Sequence, residues 1–442
     1  MELTNWSGSV RFIPSHIHRP KTQQELVEII LNAVRSNRSL RALGSRHSFS
    51  ELIATSGISL SLDRYKGIVS VDTEKKEALI RSGTKLNRVS ESLLHHGLMM
   101  ENLGDIDVQS LAGSISTGTH GTGINFGILA TQVKELALIT ANGESLVCSE
   151  EQNRDLFKAA LVSLGTLGVI FEMKLSLVPS YRLKFVQKIE SLKDCLSNLD
   201  QRLKENRNFE FFLFPYTDVV QTKALNVTDE TADHFSISHH LNDLILENGV
   251  LKVLCEICRI FPHTAKAINK ICGWGLSGFS KVNYAHKVFT TPRYVKFHEM
   301  EYNIPRDRFK DALLEVVEAI EKKNFAVCFP LECRFAKADD IWLSPAYKRD
   351  SAYIAAHMYK GMEYQKYFST LESIFKNHQG RPHWGKMHTQ TAEDLSKIYP
   401  MWDQFQELRL RLDPKGTFMS PYMRTLLGVD STKHKAIVSK AA

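Results

Sequence analysis

The stretch 103–123, LGDIDVQSLAGSISTGTHGTG, constrains the fold more than any other part of the chain. It puts five glycines, several hydroxyl residues and one histidine into 21 positions. Glycine has no Cβ, so such a segment cannot interlock side chains into a dense core. It can bring backbone, with its N–H groups, close to something large and flat. Two readings follow. The stretch is either a flexible linker between domains or the cradle of a buried cofactor, and the rest of the chain has to choose.

The 442 residues suffice for two or three domains, and 43% hydrophobic with 24% charged residues is an ordinary globular mix. A formal net charge of +7 is modest at this length. No Lys/Arg cluster is interleaved with aromatics, which argues against a nucleic-acid partner. Seven scattered cysteines, an odd number, read as free thiols rather than a disulfide framework. Cys255 and Cys258 form a C-x-x-C within the apolar VLCEICRI, where buried packing thiols are the simpler reading. The opening MELTNWSGSVRF lacks the apolar core of a signal peptide, and no run reaches ~18 apolar residues. Neither secretion nor a transmembrane helix is therefore expected, and cytoplasmic residence is the default. The glycosylation patterns at Asn5 and Asn226 then read as accidental.

Apolar spacing predicts a helix over Gln23–Val34 with Thr22 as its N-cap. Leu40–Leu43 reads as a strand feeding the loop Gly44–Ser48, a common position for ligand contacts. Strands are expected at 57–62, 68–72 and 77–81, then a helix at 86–96 closed by Gly97. A hairpin over 131–148 turns at Asn142-Gly143. A short helix at 155–164 and a strand at 169–177 follow. Residues 1–180 thus form a mixed α/β unit rather than a regular βαβαβ series. A doubly wound nucleotide fold would carry its glycine fingerprint directly after the first strand. The one G-x-G-x-x-G, Gly273 to Gly278, follows the helix-like TAKAINKIC and reads as a turn.

Beyond Pro179 a second α+β domain is expected. Residues 228–264 read as largely helical, 297–302 as a strand ended by 303–305, and 309–322 as a helix. Residues 325–335 read as a strand in which Pro330 marks an edge or bulge. Asp413 to Gly416 is a turn, after which Phe418 is placed to lie against another domain.

Glu332 and Arg334 alternate with Leu331, Cys333 and Phe335, so a strand puts carboxylate and guanidinium on one face. They are either a surface ion pair or the lining of a cleft, where the arginine would stabilise developing negative charge. His383 and Lys386, in RPHWGK, are either an ordinary turn or groups facing an anionic reduced cofactor or a polar substrate. His47 and His120 have no carboxylate cluster beside them in the sequence, and no metal site is expected. There is no H-E-x-x-H, G-x-S-x-G or Walker motif, so hydrolysis and phosphoryl transfer lack support. Flavin chemistry remains, in which the cofactor carries the difficult step.

Asn5-Trp6, RALGSRHSFS, STGTHGTG, GILATQV, ANGESLVCSE, FHEMEY, LECRFAKADDIWLSPAYKRDS, RPHWGK and LDPKGTF follow one another along nearly the whole chain. In this order they resemble the aldonolactone oxidases of the vanillyl-alcohol-oxidase/PCMH flavoprotein superfamily, with the alditol oxidases close behind. The resemblance implies an α+β protein. A PCMH-type FAD-binding domain of two α/β subdomains would span 1–180, and a cap domain with a large antiparallel sheet 181–407. The segment 408–442 would return to the FAD domain. By the same resemblance His47 bonds covalently to the flavin, with Gly44, Ser45, Arg46 and Ser48 around it. Arg46 stands where many lactone oxidases have glycine. Gly104, Ser110, Gly113, Ser114, Thr117, Gly118, His120, Gly121 and Gly123 carry over as FAD contacts, and Gly168 and Ile170 as contacts on the adenine side. Glu332, Arg334, His383 and Lys386 carry over as the catalytic set.

The implied reaction is oxidation of an aldono-1,4-lactone (gulono-, galactono- or arabinono-) at C2, giving an ascorbate-type product. Arg334 and Lys386 would hold the lactone oxygens, and Glu332 would orient Arg334 or a water. Related dehydrogenases that avoid oxygen carry alanine at the position of Gly104, so glycine here implies dioxygen as acceptor and hydrogen peroxide as product. The alternatives are a sugar-alcohol oxidase of the same fold, a lactone dehydrogenase using a quinone or cytochrome, and, from another class, a flavin-free scaffold. Animal lactone oxidases are membrane-associated, which leaves peripheral membrane attachment open.

Overall fold

Period-two alternation builds the largest element of the molecule. In the computed structural model, which describes residues 1–233 and 249–429, eight strands form one antiparallel sheet. Their order is Phe279–Tyr284, Arg182–Ser191, Val219–Thr228, Asn208–Leu213, Leu331–Ala336, Ser351–Tyr359, Phe297–Pro305 and Arg381–Pro382. Odd and even positions separate cleanly. Phe211, Cys333, Phe335, Ile354, Met300, Tyr302 and Ile304 face the helices Phe309–Lys323 and Gln365–Asn377 and form one core with their Leu313, Val316, Leu371 and Phe375. The opposite face carries Glu210, Glu332, Arg334, Tyr353, His357, Glu299 and Glu301. Glu332 and Glu301 both pair with Ala355, whose methyl leaves open space between the two carboxylates.

Several expectations are corrected. The strand expected over 325–335 begins only at Leu331, because Pro330 has no N–H to give the ladder. The strand expected to end before Asn303 continues to Pro305: Asn303 still pairs with Tyr353 and Arg381, and proline closes the end. The expected helix over 228–264 lies partly outside the described residues, and Leu251–Ile260 is the helix described there. The G-x-G-x-x-G leaves a helix, as expected: Gly273 lies in the last turn of Ala265–Trp274 and Gly275 caps it.

The N-terminal part holds two smaller sheets. His16–His18, Ile58–Ser61 and Leu40–Leu43 pair in parallel. Ser145–Ser149, Val133–Ile139, Val169–Ser176, Glu77–Arg81 and Ile68–Asp72 form an antiparallel five-stranded sheet. Thr22 caps the helix Gln23–Arg35 by accepting the Glu25 N–H. Phe418 is fully buried among Leu26, Ile30, Leu40 and Phe171. The chain also returns to this end earlier, since Ile341–Leu343, Trp384, Trp402 and Phe405 share a core with Leu111, Ile115 and Val162. The buried Arg41 guanidinium ties these returns together by donating to the carbonyls of Leu52, Leu164, Gly165 and Phe418 at 2.7–3.3 Å.

The glycine stretch is part of this framework, not a linker. Residues Leu111–Ser116 form a short helix, and Gly118 turns the chain with φ +72°. Residues 119–123 then cross to the large sheet. The Gly123 N–H donates to the Phe335 carbonyl at 2.7 Å, and the Thr122 hydroxyl donates to the Phe209 carbonyl at 2.5 Å. The Asn208 amide donates to the Thr122 carbonyl at 2.5 Å. A Cβ on Gly123, at φ +123°, would lie 2.7 Å from the Arg207 carbonyl oxygen. Gly123→Ala is therefore expected to destabilise the protein by about 2 kcal/mol or more. Gly275→Ala, at ordinary φ with its nearest contact at 3.4 Å, should stay within about 0.5 kcal/mol. Urea unfolding of the pair checks this, and equal midpoints would contradict it.

Candidate active site

Two adjoining cavities open where the polar face of the large sheet meets the N-terminal part. The first, about 820 Å³, is lined by the sheet residues Glu299, Glu301, Glu332, Arg334 and His357 and by His120, His383 and Lys386. The second, about 870 Å³, runs along Gly44–Ser48, Ser82, Ser110, Gly113 and Gly165–Ile170. They share His47, Ser48, Gln109 and Thr117, so one long ligand can enter both.

In the first cavity every charge has a partner. Arg334 pairs with Glu332 and bonds Glu210 at 2.9 Å. Lys386 reaches Glu299 at 2.5 Å and lies over the Phe49 ring. His383 and Lys386 arrive here because their segment continues the pairing of Arg381–Pro382. The His383 N–H donates to the Glu301 carbonyl at 3.0 Å and the Met387 N–H to that of Glu299 at 2.9 Å. His120 bonds Glu301 at 3.0 Å. Asp105 pairs with Arg293, and the Asp105 carbonyl also accepts the Thr291 N–H at 3.1 Å.

Burial and neighbours shift these groups in opposite directions. Burial pushes the Glu332 carboxyl up, and Arg334 only partly offsets it. Burial also opposes charge on Glu299, but Lys386 and then His357 outweigh it and hold the carboxyl at about 2. For Arg334 burial is outweighed by Glu332 and Glu210, which hold the guanidinium cationic. His47 is pushed down to about 4 by burial, then by Lys386 and Lys85. The Trp6 ring stacks on it at 5.6 Å.

The second cavity fits a long polar ligand. Among the described residues, Ser82 Oγ, Gln109 Oε1 and Ser110 Oγ are buried on its wall without a protein partner. Such orphans cost free energy unless a ligand or water satisfies them. A Cβ at Gly44 would meet Ser110 Oγ at 2.4 Å, and one at Gly113 would meet it at 2.9 Å, so these two glycines keep the floor open.

The family model described as D-arabinono-1,4-lactone oxidase matches residues 173–426, and one described as an FAD binding domain matches residues 14–149. The chain belongs to the aldonolactone oxidase family. It is 39% identical to the L-gulono-1,4-lactone dehydrogenase of Mycobacterium tuberculosis, over 96% of this chain and 99% of that protein. It is 35% identical to the L-gulonolactone oxidase of Bos taurus, over 96% and 97%. It is 29% identical to the alditol oxidase of a Streptomyces species, over 96% and 99%. The cholesterol oxidase of B. sterolicum superposes with a TM-score of 0.81 at 17% identity, covering 96% of each chain. That likeness shows the fold, the α+β vanillyl-alcohol-oxidase/PCMH architecture. The chain is a flavoprotein oxidoreductase of this family, and the orphaned polar atoms and glycine floor of the second cavity fit FAD.

Within this member of the family, most residues singled out from the sequence converge on the two cavities. His47, Ser48, Gly104, Thr117, His120, Glu332, Arg334, His383 and Lys386 line the first. Gly44, Ser45, Arg46, Ser110, Gly113, Gly168 and Ile170 line the second. Ser114, Gly118, Gly121 and Gly123 line neither. Ser114 bonds back within its helix, and a Cβ on Gly121 would lie 2.2 Å from the Leu103 carbonyl oxygen. The reading of His120 as remote from carboxylates is also corrected, because Glu301, 181 positions away, arrives by sheet pairing. Sequence reasoning missed Asp105, Arg293, Glu299, Glu301 and His357. The alternation in FHEMEY carried a signal for both glutamates, whereas Arg293 lies in an irregular segment that offered none.

Burial lowers His383 to about 3 and His388 to about 4, as it lowers His47. In the unfolded chain each binds its proton near 6.5. Between about pH 6.5 and 4 the unfolded state therefore binds more protons, and stability falls as pH falls. Glu299 works in the same direction below its ordinary 4.5. The thermal midpoint should decline from pH 6.5 to pH 4, and His388→Leu, outside the cavity lining, should flatten the decline. A midpoint constant across that window would contradict the assignment.

Proposed function

We propose that this chain oxidises an aldono-1,4-lactone at C2 with bound FAD and passes the electrons to dioxygen. The observation that carries the reading is the convergence of Glu332, Arg334 and Lys386 on the cavity that adjoins His47. FAD supplies the hydride acceptor. Arg334, held cationic by two carboxylates, meets the lactone oxygen on which negative charge develops. Lys386 offers a second cation in the same cavity. Glu332 orients Arg334 and presents a carboxylate oxygen to the C2 hydroxyl proton. Trp6, Phe49 and Phe297 close one side against water. Asp105 and Arg293 supply polar contacts for the sugar tail.

His47 is the proposed point of covalent attachment. Its low proton affinity leaves the imidazole neutral at physiological pH, so a ring nitrogen would present a lone pair toward the flavin held beside it. Arg46, before it, has φ +60°, a conformation that glycine adopts freely. That accounts for glycine there in many lactone oxidases. Dioxygen as acceptor is supported by Gly104, which lines the first cavity without a side chain. The dehydrogenase named among the relatives keeps a second reading, transfer to another acceptor, in view.

Purified protein is expected to be yellow, to retain its colour on acid precipitation, and to be bleached anaerobically by aldonolactones faster than by alditols. Air should restore the colour with release of hydrogen peroxide. Arg334→Ala should keep FAD but slow bleaching by ~100-fold or more. Equal bleaching rates would sink the catalytic assignment. Gly104→Ala should leave bleaching nearly unchanged and slow recolouring in air by about tenfold or more. If wild-type protein recolours only with a quinone or cytochrome, the dehydrogenase reading replaces the oxidase.

A further inference from the structure

His120 is 4% exposed and lies where the glycine stretch crosses to the large sheet. Its Nδ1 is 2.8 Å from the Gly121 carbonyl oxygen, and its Nε2 is 3.0 Å from Glu301 Oε1. A carbonyl and a carboxylate can only accept. Both ring nitrogens must then carry hydrogen, and an imidazole with two N–H groups is a cation. The exception would be a protonated Glu301. Burial opposes its charge, but pairing with His120 and then the Lys386 cation hold the carboxyl well below its ordinary range. The Tyr353 ring lies flat on His120, centroids 3.5 Å apart and planes 18° from parallel, an arrangement suited to a cation over a π face.

The other groups around it are accounted for. His383 Nδ1 accepts the Gly385 N–H at 3.0 Å, so this ring uses its other nitrogen as a donor and is neutral. Lys386 is committed to Glu299, and His357 sets its Nδ1 3.2 Å from the Pro330 carbonyl oxygen while its Nε2, 3.6 Å from Glu299, stays beyond hydrogen-bond length. His120, Glu301 and His383 bring potential ligand atoms within 4.8 Å of one another. Since both His120 nitrogens donate, His120 has no lone pair left for a metal ion.

We propose that His120 is held as an imidazolium by Gly121 and Glu301, and that its charge favours the two-electron reduction of bound FAD. The second half rests on the FAD reading above, and the first does not. In the purified full-length chain at pH 8, nitrogen-15 NMR should show one histidine with hydrogen on both ring nitrogens, absent in His120→Gln. Glu301→Gln should convert that histidine to a neutral tautomer, which keeps the test usable if His120→Gln fails to fold. A neutral ring at this position in the wild type overturns the charge assignment. In the FAD-loaded protein, His120→Gln should retain the cofactor and make its reduction about tenfold less favourable, near 30 mV for a two-electron couple. An unchanged potential overturns the electrostatic role. A chain that binds no FAD defeats the functional reading, while the NMR result still decides the imidazolium.

Discussion

Backbone hydrogen bonds between residues 119–123 and the large sheet hold this structure together at its functional point. Gly123 extends the edge of Leu331–Ala336, and Thr122 and Asn208 lock the crossing from both sides. Without that seam the polar sheet face would look onto solvent, and Glu332 and Arg334 would be an ordinary exposed pair. With it, His120 is delivered to Glu301 and the face becomes one wall of a cavity. Such close approach of backbone to backbone requires glycine at 121 and 123 for steric reasons alone.

A second constraint is electrostatic. Burying seven charged side chains around one cavity is costly unless each is paired. The fold solves this by pairing: Glu332 beside Arg334 on one strand, Glu299 of another beside Lys386, and Asp105 beside Arg293 on two loops. The result is a site full of charge that is near neutral overall, with cations held rigid by carboxylates on fixed strands. Rigid, desolvated cations stabilise developing negative charge better than mobile ones in water.

The likeness to cholesterol oxidase separates fold from chemistry. The two share an architecture at 17% identity, so the frame does not specify a substrate. In the present chain the cavity sets carboxylates, guanidinium and imidazole beside the apolar Trp6, Phe49, Ile106 and Phe297. Such a lining suits a hydroxylated ligand, and it comes from alternate positions on strands whose other positions form the core.

Local patterns were readable in the chain. Leu40–Leu43, the hairpin at Asn142-Gly143 and the helix beginning after Thr22 follow from spacing and turn chemistry, which act over a few residues. The Glu332–Arg334 face was legible for the same reason. Where reading failed, distance was the cause. That His120 meets a glutamate, that Arg293 meets Asp105, and that some residues of the glycine stretch line the cavities while others lie outside them depend on contacts between segments many residues apart. The sequence by itself determined which side chains share a face and where backbone can approach closely. Only the tertiary structure decided which faces meet, because strand order and register are set by packing of the whole chain.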